Sequence, residues 1–105
     1  MSAKPVRPRP RALLDVELAI EWFLDHEERQ AALGFIVDLE TAYRHIGDYP
    51  QTGSLRYAYE LALDGLRFWP LGGYPYLVFY VERDDHIDVW RVLQERRDIP
   101  ASFIN

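Results

Sequence analysis

GLRFWPLGGYPYLVFYVERDDHIDVWRVLQERRD, residues 65–98, decides how the rest of the chain is arranged. Three apolar runs, 66–71, 76–81 and 87–93, are rich in Tyr, Trp, Phe, Val and Ile, residues that suit a pleated, half-buried surface. Gly72-Gly73 and Arg83-Asp84-Asp85-His86 separate them. Connections this short join antiparallel neighbours, because a parallel return needs a crossover of about a dozen residues. The spacing predicts a three-stranded meander within 65–94, followed by the charged tail Gln94-Glu95-Arg96-Arg97-Asp98. So small a sheet needs cover, and the preceding residues are expected to supply it.

Upstream, residues 12–25 repeat with helical period. Ala12, Val16, Ala19, Ile20 and Phe23 fall on one arc, with Leu13 and Leu24 at its margin. Asp15 is read as a first-turn acid facing the helix dipole. A second apolar row, Leu14, Leu18 and Trp22, runs beside an acidic row, Glu17, Glu21 and Asp25. Residues 28–46 form the second predicted helix, with Ala32, Phe35, Ile36, Leu39, Ala42, Tyr43 and Ile46 in phase. Gly34 inside it suggests close approach to the first helix. Gly47 is expected to end the helix, and Pro50 and Gly53 to finish the turn. Residues 54–64 read either as a short helix or as an irregular lead into the sheet.

The N-terminal stretch KPVRPRPR, residues 4–11, carries Pro5, Pro8 and Pro10. Missing N–H groups exclude a central strand. Pro8 and Pro10 point their absent donors to one side, which allows an edge strand with that side outward. A polyproline-like arm is the alternative. The expected architecture is a single α+β domain over 1–105: an extended basic arm or edge strand in 1–11, a helical hairpin in 12–49 and a β-meander in 65–94. The hairpin lies on one face of the antiparallel sheet. The opposite face lacks evident cover and is expected to carry function.

The chain has 105 residues, 49% of them hydrophobic and 14% aromatic, a globular composition sized for one core. It has no cysteine, which excludes disulfide scaffolds and thiolate metal sites. No apolar run approaches the ~20 residues of a membrane span, and no apolar stretch of signal-peptide type follows the basic N-terminus. A soluble cytoplasmic protein is expected. The net charge is −5, yet Lys4, Arg7, Arg9 and Arg11 occupy an acid-free start. Setting those four aside leaves 8 of the 12 basic residues against 17 acids, a body of charge −9. Such a body repels nucleic acid and suits a basic protein partner.

Candidate chemistry is sparse. His26, His45 and His86 are far apart and lack helical metal-site spacing. No nucleophile elbow, phosphate loop or dinucleotide fingerprint occurs, so no catalytic residue, metal or cofactor is assigned. Arginines are sharper candidates. Arg67 opens the first meander strand, Arg91 lies in the third, and Arg96 and Arg97 follow. Strands one and three flank the second, so Arg67 and Arg91 are expected to converge on one face, where guanidinium groups bind carboxylate or phosphate. Salt bridges with Glu82, Glu95 and Asp98 are the structural alternative.

These motifs, in this order, resemble the RelE/ParE superfamily of bacterial type II toxin–antitoxin toxins, and its ParE branch most. Ala12 and Asp15 with Ile20 and Trp22 resemble the opening helix, and Pro50 and Gly53 the exit from the second. Gly65-Leu66-Arg67 resembles the family's GLR strand opening, and Tyr74-Pro75-Tyr76 with Phe79-Tyr80 its central strand. Residues 91–98, RVLQERRD, resemble its closing RVLHxRRD signature. Gln94 stands where that signature usually carries His, and an amide cannot exchange a proton as an acid or base would. Lys4 is the only lysine, whereas ribonucleolytic relatives are typically basic.

The resemblance implies a toxin neutralised by a cognate ParD-like antitoxin. The resemblance further implies action by protein–protein contact, DNA gyrase being the target associated with the ParE branch. An mRNA endonuclease of RelE type, or a non-toxic antitoxin-binding relative, is the alternative. Arg67, Arg91, Gln94, Arg96 and Arg97 are the expected target-facing residues; Leu14, Leu18 and Trp22 are the expected antitoxin anchors. The competing reading packs that row against the second helix. No direct nucleic-acid or membrane binding is expected, and a homodimer or toxin–antitoxin hetero-oligomer is.

Overall fold

The computed structural model describes residues 3–104; of the N-terminal arm, residues 1 and 2 lie outside the described residues. Strands β1 (Val6–Pro8), β2 (Arg67–Pro70), β3 (Tyr76–Glu82) and β4 (Ile87–Gln94) form one sheet in the order β1-β4-β3-β2. The meander is antiparallel throughout. The arm is an edge strand, parallel to β4. Pro5 accepts from the Ile87 N–H at 2.8 Å, and the Arg9 N–H donates to Val89 at 2.9 Å. Odd-numbered residues of the arm therefore face β4. Pro8 and Pro10 face outward, where their missing donors cost nothing and discourage pairing with another chain.

Helix α1 (Pro10–His26) and helix α2 (Arg29–Asp48) form the hairpin, and they bury Ala12, Ala19, Phe23, Phe35, Leu39 and Ile46 against Val78, Tyr80, Val89 and Val92 of the sheet. Asp15 lies in the second turn of α1, not the first, because the helix already begins at Pro10. Gly47 does not stop α2; it is a helical residue. A Cβ there would lie 2.8 Å from the Lys4 carbonyl oxygen, so glycine serves the close passage of the arm. Gly34 likewise makes room for the Tyr74 hydroxyl, not for α1.

The opposite face of the sheet is covered, against expectation. Helix α3 (Arg56–Leu61) and helix α4 (Ile99–Ile104) bring Ala58, Ile99 and Phe103 onto Leu77, Phe79 and Leu93. Phe103 meets Phe79 edge-on at 5.2 Å between centroids. Residues 54–64 thus contain a short helix, and the stretch after the charged tail folds back as a second lid. Asp98 starts α4, its carboxylate accepting from the Ala101 N–H at 3.2 Å. No helix among the described residues is long and apolar enough to cross a membrane.

Candidate functional site

One irregularity in β4 decides where its arginine goes. Phe79 pairs with Arg91, but Tyr80 pairs with Val89, so Trp90 is an extra, bulged residue. Strict alternation from Ile87 would have put Arg91 on the hairpin face. The bulge reverses the parity, and Arg91 shares the α3/α4 face with Phe79. Arg67 pairs with Tyr80 on the hairpin face. The two side chains predicted to converge therefore leave from opposite faces, and neither is free.

Arg67 clamps the loop after α2. Its Nη1 donates to the carbonyls of Gln51 at 3.1 Å and Gly53 at 2.8 Å. Beside it the Tyr80 hydroxyl donates to the Pro50 carbonyl at 2.7 Å and accepts from the Gly53 N–H at 3.1 Å. Burial raises the Tyr80 phenol pKa above its ordinary value.

Arg91 is buried, with 5% of its surface exposed. Its Nε and Nη2 form a two-pronged bond with the Asp15 carboxylate at 2.8 and 2.9 Å, and its Nη1 donates to the Ser102 carbonyl of α4. Asp15 also accepts from the Val92 N–H at 3.0 Å. The pair wraps the outer edge of β4, tying the helix layers on the two faces of the sheet. Sequence reasoning missed the partnership because it is 76 residues long in chain separation. The parity flip between Val89 and Val92 was the available signal. Burial, with the Asp15 charge adding, pushes the Tyr43 phenol up to about 12.

Of the remaining candidates, Leu18, Trp22, Gln94 and Arg97 gather at one place. Past Val89 the outer edge of β4 has no strand beside it, and α1 lies along it. Between them is a cleft of about 190 Å³ lined by Leu18, Trp22, Tyr76, Gln94 and Arg97. Leu14, Leu18 and Trp22 are 41%, 54% and 44% exposed, so the row does not pack against α2. Trp22 is held by a stack on His26 with centroids 4.7 Å apart. Gln94 is half-buried, while Arg96 and Arg97 are exposed. Of the predicted target-facing residues, the structure brings Gln94 and Arg97 to the anchor row and separates Arg67 and Arg91 from it.

His45 stacks on Trp69 at 4.1 Å and bonds Thr52, and His86 sits against Asp85 in the β3–β4 turn. Among the described residues no group of three or more His, Cys, Asp and Glu is placed to hold a metal ion.

Residues 6–99 match the family model described as the ParE toxin of type II toxin–antitoxin system, parDE. No curated protein sequence matches the chain. Among solved structures, a chain described as "Chromosomal ParDE TA system from P. aeruginosa" superposes with a TM-score of 0.72. That match is 14% identical and covers 88% of this chain and 96% of the other. At that identity the likeness is one of fold. The family match ends where α4 begins, so most of the second lid lies beyond it.

Proposed function

Because the chain belongs to the ParE toxin family of type II toxin–antitoxin systems, we propose that it inhibits a protein target by surface contact, DNA gyrase being the candidate, and that a ParD-like antitoxin neutralises it. The target-facing residues of this proposal are Gln94, Arg96 and Arg97. Arg67 and Arg91 are left out of it, since their guanidinium groups are engaged in holding a loop and a helix. Leu14, Leu18 and Trp22 remain the antitoxin anchors, half-exposed apolar side chains of the kind that become hot spots once a partner excludes water.

One observation carries the reading. Leu18 and Trp22 line the same cleft as Gln94 and Arg97. A partner seated on the anchors covers the candidate target-facing groups, so neutralisation by occlusion needs no conformational change. The test is a gyrase supercoiling assay with purified chain, alone and with antitoxin. Inhibition relieved by the antitoxin is expected. Unchanged supercoiling well above stoichiometric toxin sinks the gyrase reading. Toeprinting of a translated message tests the ribonuclease branch in parallel, and new cuts would move the chain there.

A further inference from the structure

The cleft beside α1 does not stop at the anchor row. It continues past Trp22, Tyr76 and Gln94 into a hollow of about 250 Å³ that ends at Glu27 and Ala31. In the other direction Arg97 is shared with a second hollow of about 250 Å³, which Arg11 and Ser102 also line. The three hollows adjoin through these shared residues in a row along α1, from its C-terminal to its N-terminal end, and are taken together as one channel.

Charge changes sign along this channel. At the N-terminal end Arg11 and Arg97 are both exposed, and neither forms an ion pair among the described residues. The acid beside them, Asp98, has a carboxylate oxygen committed to the start of α4. The positive end of the α1 dipole adds to the field there. The middle is apolar, with Leu18, Trp22 and Tyr76. The far end carries Glu27, and Glu17, Glu21 and Asp25 run along the outer side of α1.

Strand addition is interrupted at this edge. Of the outward backbone groups of β4 beyond β1, the Val92 N–H is taken by Asp15 and the Gln94 carbonyl accepts from the Arg97 N–H at 3.1 Å. Strand addition needs a run of free donors and acceptors. With that run interrupted, the edge suits an occupant recognised through its side chains, as an amphipathic helix is, better than an added strand.

We infer that the channel is directional and takes an amphipathic antitoxin segment in one orientation. A carboxylate of that segment sits between Arg11 and Arg97, and its apolar side chains follow between Leu18, Trp22 and Tyr76. Its basic residues lie toward Glu27. The inference rests on the proposed neutralisation by an antitoxin and adds the chemistry and polarity of what binds.

The experiment measures the affinity of the proposed ParD-like antitoxin for wild-type chain, R11E/R97E and, as an off-channel control, R44E/R56E. The channel variant is expected to bind about tenfold more weakly at low salt, with the gap narrowing as salt rises. The control should bind as wild type, and all three should melt together. A lysine scan of the antitoxin's Asp and Glu positions should find one change that restores binding to R11E/R97E. Affinity of R11E/R97E within about twofold of wild type, or an equal loss in the control, overturns the directional channel alone. No binding to the wild-type chain overturns the proposed neutralisation with it.

Discussion

The outer edge of β4 is closed along its first half and open along its second. From Ile87 to Val89 the edge is paired with β1, and Asp88 is knotted by Arg9, Arg83 and Trp90. Asp15 then takes both the Arg91 guanidinium and the Val92 N–H. From Gln94 to Arg97 the chain borders an open cleft beside α1. The contrast divides the cations of a single signature. Arg91 has its charge, its fork geometry and its burial spent on structure, while Arg96 and Arg97, a few residues on, make no ion pair among the described residues. Helix α1 repeats the division: Asp15 serves the closed half, and Leu18 and Trp22, one and two turns later, serve the open one.

Breaking the closed half should have the largest effect. The Arg91 and Asp15 side chains are 6% and 5% exposed, and removing one leaves the other charge buried without its partner. Asp15→Ala is expected to cost about 3–5 kcal/mol in urea unfolding. Asp15→Leu combined with Arg91→Met should cost less than either single change, because no buried charge is stranded. A loss below about 1 kcal/mol for Asp15→Ala would erase the distinction between the halves.

The open half should answer in the opposite way. Trp22→Ala removes a side chain that is 44% exposed, and stability should fall by less than about 1 kcal/mol. Antitoxin affinity should drop by about 2–4 kcal/mol, measured by calorimetric titration. Large destabilisation with unchanged affinity would make the row part of the core and void the comparison from that side.

Much of the closed half was legible and its chemistry was not. Turn lengths and β-rich runs gave the meander, and the parity of Pro8 and Pro10 gave the edge-strand option. Those signals are local. The second lid was missed because Ile99 and Phe103 of α4 make a pattern too short to read as a helix before its cover is known. Arg91 was misplaced by a single bulged residue, since one insertion moves every later side chain to the other face. The exposed row Leu14, Leu18 and Trp22 was visible by period alone. Whether α2 covered it was not, because that depends on how the hairpin turns over the sheet.

Gly47 sharpens the comparison where α2 meets the arm. The Lys4 N–H donates to the Gly47 carbonyl at 3.0 Å, and the space for a Cβ is filled by the Lys4 carbonyl oxygen. Gly47→Ala is expected to cost about 1–3 kcal/mol by pushing the arm outward. Amide exchange should quicken first at Ile87 and Arg9, which bond across β1 and β4. Equal acceleration throughout the sheet would mean that the arm and sheet unfold as one unit.

The smallest effect expected is a pH dependence confined to the closed half. Burial alone would raise the Asp88 carboxyl. Hydrogen bonds from Arg9, Trp90 and Arg83, with the Arg9 charge, outweigh it and hold the carboxyl below its ordinary value. A carboxyl depressed in the folded state stabilises the fold above its unfolded pKa, and that contribution is lost as pH falls through the folded value. Stability should therefore decline at and below the ordinary carboxylate range, and Asp88→Asn should flatten that acid limb. Arg9 and Arg83 remain nearly half-exposed, so solvent screens the attraction and the change should be modest. Asp88 does not line the cleft at Trp22, and antitoxin affinity per folded molecule should be the same for Asp88→Asn and wild type. A matching shift in affinity would show that the knot at the start of β4 and the cleft at its end are coupled, and that the edge is one device.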